Sequence, residues 1–127
     1  LNVFPVPDGD TGANMTLTMQ SAWKEIEDQT FDDVGSLLRA FAMGAIRGAR
    51  GNSGVILSQI FRGMVEAVGD QATLDAVALA SAFRQGQKVA YQGVMQPVEG
   101  TILTIIRFVA DASEHAAALN DDIGFQL

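Results

Sequence analysis

Gly48-Ala49-Arg50-Gly51-Asn52-Ser53-Gly54-Val55-Ile56-Leu57-Ser58-Gln59-Ile60-Phe61-Arg62-Gly63-Met64-Val65-Glu66-Ala67-Val68-Gly69 contains a turn, a helix start, an apolar stripe and a helix stop in one run. Leu57, Ile60, Phe61, Met64, Val65 and Val68 recur at spacings of three and four, the signature of one helical face. Asn52 or Ser53 is placed to cap the start. Gly69 stands where a helix ends most readily, because glycine alone turns left-handed without steric cost.

The same period extends outward on both sides. Upstream, Val34, Leu37, Leu38, Phe41, Ala42, Ala45 and Ile46 predict a helix whose N-cap lies at Asp32 or Asp33. Before it, Met15, Met19, Ala22, Trp23 and Ile26 predict a helix over roughly Gly12 to Glu27, with these side chains on its packing face. Downstream, Thr73 is the expected cap of a fourth helix that turns Leu74, Val77, Ala78, Ser81 and Val89 inward. Gly86 weakens that helix by about 1 kcal/mol relative to alanine. A loop over Gly93 to Gly100 contains Pro97, and a fifth helix begins near Thr101 with Ile102, Ile105, Ile106, Val109, Ala110 and Ser113 on one face. Strand signals are nearly absent, so the fold class is all-α. Short connections between helices favour antiparallel neighbours, an up-and-down bundle or barrel. In that arrangement the first, third and fifth helices all start at one end.

The 127 residues suit one domain, and 48% hydrophobic content suffices for a core. Fifteen acidic residues against 8 basic ones give a net charge of −7, which argues against nucleic-acid binding, where clustered Lys and Arg are needed. There is no cysteine, which excludes disulfides and thiolate chemistry and is compatible with a cytoplasmic protein. No apolar run is long enough to span a membrane. The sequence begins mid-pattern and stops just after an apparent helix-start signal at Asp121-Asp122, so it reads as part of a longer chain.

Three loops lead into the three helix starts expected at one end. In Pro7-Asp8-Gly9-Asp10-Thr11-Gly12-Ala13-Asn14, two aspartates flank a glycine and can turn both carboxylates toward one hard cation. Thr11 and Asn14 add a hydroxyl and an amide for phosphate oxygens. An aspartate-rich turn with a helix cap explains the same residues. In residues 48–54, Gly51 and Gly54 allow a close backbone approach to an anion at a helix N-terminus, with Arg47 and Arg50 as the local cations. A plain helix–helix turn is the alternative there, and the lysine-bearing P-loop pattern is absent. In Val98-Glu99-Gly100-Thr101, Thr101 reads as an N-cap, and with Gly100 it can border a nucleobase. His115, the single histidine, reads as a surface residue beside Glu114, and Asp111 and Glu114 as a solvated face.

Residues 2–15, Asn2-Val3-Phe4-Pro5-Val6-Pro7-Asp8-Gly9-Asp10-Thr11-Gly12-Ala13-Asn14-Met15, resemble the signature of the N-terminal kinase domain of the bacterial fatty acid kinase catalytic subunit. Residues 48–59 and Pro97-Val98-Glu99-Gly100-Thr101-Ile102-Leu103 resemble its second and third motifs. The wider group is similar to the L subunit of dihydroxyacetone kinase. The resemblance spans nearly the whole chain and implies a barrel of antiparallel helices, here without its first helix and C-terminal end, with ATP at one end. It implies two Mg²⁺ ions held by Asp8 and Asp10. Asn2 stands where the L subunit has a third aspartate. It places Thr11, Gly12 and Asn14 near the terminal phosphates, Gly51, Asn52, Ser53 and Gly54 on phosphate, and Gly100, Thr101 and Ile102 near the adenosine. Arg50, with Arg47 beside it, is the candidate catalytic cation.

The reaction so implied is phosphoryl transfer from ATP to a fatty acid carboxylate, forming an acyl phosphate. A separate fatty-acid-binding carrier protein delivers the acceptor, and the full-length protein is open to forming a homodimer. Such transfer asks mainly for positioning and charge neutralisation. Two other readings stand beside it: a glycerone kinase of the L-subunit type, and a non-catalytic nucleotide-binding or regulatory domain. L subunits generally carry histidine after the aspartate pair, where this chain has Thr11, and that favours the fatty acid branch.

Overall fold

The computed structural model describes residues 11–93 and 102–123, the last four by backbone alone. Five helices account for nearly all of the described residues, which include no strand: α1 Thr11–Ile26, α2 Val34–Arg47, α3 Gly51–Val68, α4 Ala76–Gln92 and α5 Ile102–Ile123. The all-α expectation holds. The helix-start signal at Asp121-Asp122 does not, because both residues lie inside α5.

The helices run alternately up and down. α1 and α2 meet in reverse order, Gly48 lying against the Ser21 side chain and Gly44 against Glu25, and they are tied by the Ser21 hydroxyl donating to the Gly44 carbonyl (2.8 Å) and an Arg47–Glu25 ion pair (2.8 Å). The start of α2 meets the end of α3, where the Val34 and Gly35 amides donate to the Ala72 and Gln71 carbonyls, each at 3.0 Å. Between α4 and α5, Arg84 reaches Asp111 and Glu114, while Tyr91 donates to the Leu103 carbonyl (3.3 Å). Asp111 and Glu114 are therefore ion-paired rather than merely solvated. The Glu114 hydrogen bond holds the Arg84 guanidinium above its ordinary pKa, and Arg84 in turn lowers that of Glu114.

The core is centred on α3, which packs against every other helix. Ile56, Ile60, Met64 and Val68 of α3 are buried with Ala82 and Ala90 of α4 and Leu103 and Ile106 of α5. Phe41 and Phe61 meet edge to face at 5.1 Å between α2 and α3. α1 and α5 do not touch among the described residues.

Three packing expectations are corrected. Met19 (39% exposed) and Trp23 (57%) lie on the outer side of α1, and the packed positions are the small Thr18 and Ala22. The close approach of α2 and α3 leaves room for nothing larger, since a Cβ on Gly44 would press on the Ala22 backbone and one on Gly54 on the Thr18 hydroxyl. On α4 the inward residues are Ala80, Ala82, Gly86, Val89 and Ala90, whereas Val77 and Ser81 are exposed. On α5, Ile105 is 61% exposed.

The caps separate into two kinds. Asp33 accepts from the Ser36 amide (2.6 Å) to start α2, as the sequence suggests. For α4 the cap is Asp75, accepting from the Ala78 amide (2.7 Å), and not Thr73. Gly69 ends α3 as expected, at φ 59°, donating to the Val65 carbonyl. The hydrogen bonds from Ser36 to Asp33 hold that carboxyl below the usual carboxylate range. With a folded pKa below the unfolded one, the stabilisation is complete above the unfolded value and is lost as pH falls through the folded one. Asp33→Ala is expected to melt at a lower temperature near neutral pH, with the gap to wild type closing in acid. A pH series of thermal melts checks this.

Candidate functional site

Alternation of direction puts the starts of α1, α3 and α5 at one end of the bundle. The aspartate-capped starts of α2 and α4 lie at the other. None of the three co-located starts has an acidic residue in its first turn. The positive end of each helix dipole is thus not offset by a first-turn carboxylate of its own.

The α2–α3 connection is short: Gly48, Ala49 and Arg50. Arg50 is the N-cap of α3 in extended backbone and adds no side-chain cap bond, so the expected capping by Asn52 or Ser53 is corrected: both lie in the first turn and are buried. Gly51 takes φ 66°, a conformation that glycine reaches without strain. Gly54 donates the helical bond to the Arg50 carbonyl at 3.1 Å. Helix N-termini of this kind receive anions.

This turn rests on α1. The Thr18 hydroxyl, wholly buried, donates to the Asn14 carbonyl (2.8 Å) and accepts from the Arg50 amide (3.1 Å). One turn further on, the Ser21 hydroxyl fills the place that a side chain at Gly48 would need. Thr18 and Ser21 were not legible as site residues, because the partners that set them apart, the Arg50 amide and the Gly44 carbonyl, are backbone groups distant in sequence.

Of the sequence-derived candidates, Thr11, Gly12 and Asn14 lie in the first turn of α1, where no described residue would meet a side chain at Gly12. Arg50, Gly51, Asn52, Ser53 and Gly54 form the start of α3, and Asn14 and Arg50 share one hydroxyl. Ile102 opens α5 and packs against the core cluster. The two candidate cations differ: Arg47 is paired with Glu25, while Arg50 is exposed at the start of α3. Asn2, Asp8, Asp10, Gly100 and Thr101 lie outside the described residues. Among the described residues no group of three or more His, Cys, Asp or Glu is placed to hold a metal. His115 is exposed on α5. A groove of about 430 Å³ along α1, lined by Met15, Thr16, Met19, Gln20, Trp23 and Phe41, carries no charged side chain and is unsuited to phosphate. No described helix is long and apolar enough to cross a membrane.

Comparison with known proteins gives a consistent picture. The family model described as the DAK2 domain matches residues 5–124. An uncharacterized protein of Staphylococcus saprophyticus is 49% identical over 122 residues, covering 96% of this chain and 22% of that protein. An uncharacterized protein of Staphylococcus haemolyticus matches at 49% with the same coverage, and one of Staphylococcus aureus strain USA300 at 48%. The chain thus spans about a fifth of the length of these curated relatives.

Proposed function

The chain belongs to the DAK2 domain family, and on that premise we propose that it is the nucleotide-binding domain of a kinase of the dihydroxyacetone kinase L-subunit type. The observation that carries the reading is the juxtaposition at one end of the bundle. The first turn of α1, immediately after Asp8-Gly9-Asp10 in sequence, is tied through one hydroxyl to the glycine-lined start of α3.

Each part has a chemical task. The start of α3, entered through the exposed Gly51, receives phosphate oxygens, while Gly54, expected to face the anion as well, is buried against Thr18. Thr11 and Asn14 supply a hydroxyl and an amide beside them. Arg50, exposed at the same turn, offers positive charge to the transferring group. Gly100, Thr101 and Ile102 border the adenosine. Asp8 and Asp10, with Asn2, would hold Mg²⁺, which supplies charge neutralisation between phosphate oxygens. The donor set fits: oxygen ligands only, and no thiolate in the chain.

The phosphoryl acceptor in this proposal is a fatty acid carboxylate presented by a carrier protein. Thr11 favours this branch, occupying the position where L subunits acting on triose generally have histidine. A carboxylate is already ionised near neutral pH, so the absence of an evident general base among the described residues is no obstacle.

The test is calorimetric titration of the full-length protein with ATP, with Mg²⁺ or with chelator. Binding is expected only with Mg²⁺. Absence of binding in both conditions would leave a helical domain without nucleotide function. Phosphate transfer from ATP to a carrier loaded with fatty acid, but not to dihydroxyacetone, then decides the acceptor.

A further inference from the structure

We propose that Thr18 is a positioning residue for this site, a latch that fixes the start of α3 against the first turns of α1. The inference rests on the nucleotide-binding reading above.

Thr18 sits in the middle of α1, is fully buried, and uses its hydroxyl in both directions. It donates to the Asn14 carbonyl one turn earlier, an ordinary bond for a helical threonine. It also accepts from the amide of Arg50, a residue 32 positions away in sequence. That second bond is not local. It holds the peptide that leads into Gly51, the left-handed residue at which the chain enters α3. The hydroxyl also occupies the space where a side chain at Gly54 would stand, so the first turn of α3 rests directly on it. One oxygen thereby sets three things: the direction of the first α3 amides, the place where the Arg50 side chain emerges, and the spacing between that turn and Asn14.

Thr18 has no route to the nucleotide of its own, being wholly enclosed. Its effect is transmitted through the Arg50 amide and the Gly51 hinge. A turn that passes from Gly48 to Gly51 at the entrance of α3 has many conformations to lose on binding. A latch that removes most of them beforehand raises affinity by preorganisation rather than by contact.

The experiment compares wild type, Thr18→Val and Thr18→Ser in the full-length protein. Affinity for ATP with Mg²⁺ is measured by calorimetry well below each melting midpoint, and exchange of the Arg50 amide by hydrogen–deuterium exchange. Thr18→Val, which keeps the shape and loses the acceptor, is expected to weaken binding about tenfold and to speed Arg50 exchange; Thr18→Ser is expected to stay within about twofold of wild type. A merely structural role would lower the melting midpoint of Thr18→Val and leave affinity in place. Affinity unchanged in Thr18→Val overturns the proposal, as does equal loss in Thr18→Ser. A wild type that binds no ATP with Mg²⁺ overturns the nucleotide reading, and the latch with it. Should Thr18→Val not fold, Thr18→Cys, which offers only a weak sulfur acceptor, replaces it under the same criteria.

Discussion

In the full-length protein, Asp8→Ala combined with Asp10→Ala is expected to weaken Mg²⁺-dependent ATP binding by about a hundredfold or more, equivalent to roughly 2.7 kcal/mol. The argument is one of charge. ATP brings several negative charges to an end of the bundle whose described cations are few, and the chain as a whole carries a net charge of −7. Helix termini and one exposed arginine offset part of that repulsion. A magnesium ion offsets far more, and it is usually held by one or two carboxylates together with substrate phosphates. Asp8 and Asp10, flanking Gly9 and directly preceding α1 in sequence, are the one pair of carboxylates spaced to share a cation in the three loops that lead into these helix starts. Calorimetry of the double variant beside wild type gives the answer. Equal affinity in the two proteins, or in wild type with and without chelator, sinks the metal assignment while leaving the helix-terminus site standing.

The second large effect concerns stability. Gly63→Ala is expected to destabilise the protein by about 3 kcal/mol, through overpacking that no side-chain rotation relieves. Gly63 of α3 and Gly86 of α4 lie back to back. A Cβ at Gly63 would stand 2.5 Å from the Gln85 carbonyl oxygen and 2.7 Å from the Gly86 Cα. Both are backbone atoms, so α3 and α4 would have to separate along the seam that contains Ile60, Met64, Ala82 and Ala90. A fall in melting temperature of roughly 10 °C is the corresponding reading for a domain of this size. A midpoint within about 1 °C of wild type would show that the seam yields, contrary to the close-packed nature of protein interiors.

That seam also explains what the sequence could and could not disclose. Apolar recurrence at three and four residues locates all five helices, because burial of one face needs that period. Asp33 and Gly69 mark two boundaries, since capping is a local matter of one side chain or one backbone angle. The expected facing of α1 holds at Ala22 and fails at Met19 and Trp23 for a physical reason. Periodicity favours large apolar residues, so Met19 and Trp23 look like the packing side. The helices in fact approach so closely that Thr18, Ala22, Gly44 and Gly54 form the contact. Gly86, read as a weakness of its own helix, is the residue that admits α3. Small residues carry little signal until their neighbour is known.

The candidate site divides along the same line. Its grouping at one end followed from counting helices and assuming antiparallel neighbours, and the α1 and α3 parts stand so in the structure, with Ile102 at the start of α5. The Thr18 link was illegible, because its partner lies 32 positions away on a backbone amide that every residue but proline possesses. Arg50 was the candidate cation with Arg47 beside it, and the Glu25 ion pair now separates Arg47 from that role.

The separation of α1 from α5 among the described residues has a kinetic consequence. α1 touches only α2 and α3, and α5 touches only α4 and α3, so contacts across the described helices join segments near one another along the chain. Low contact order of this kind favours rapid folding, since little loop entropy is lost before a contact forms. It also fixes where the chain comes apart first. Either outer helix can peel away while α3 and α4 remain docked, so partial openings begin at α1 or α5 and the α3–α4 pair is the last to exchange its amides.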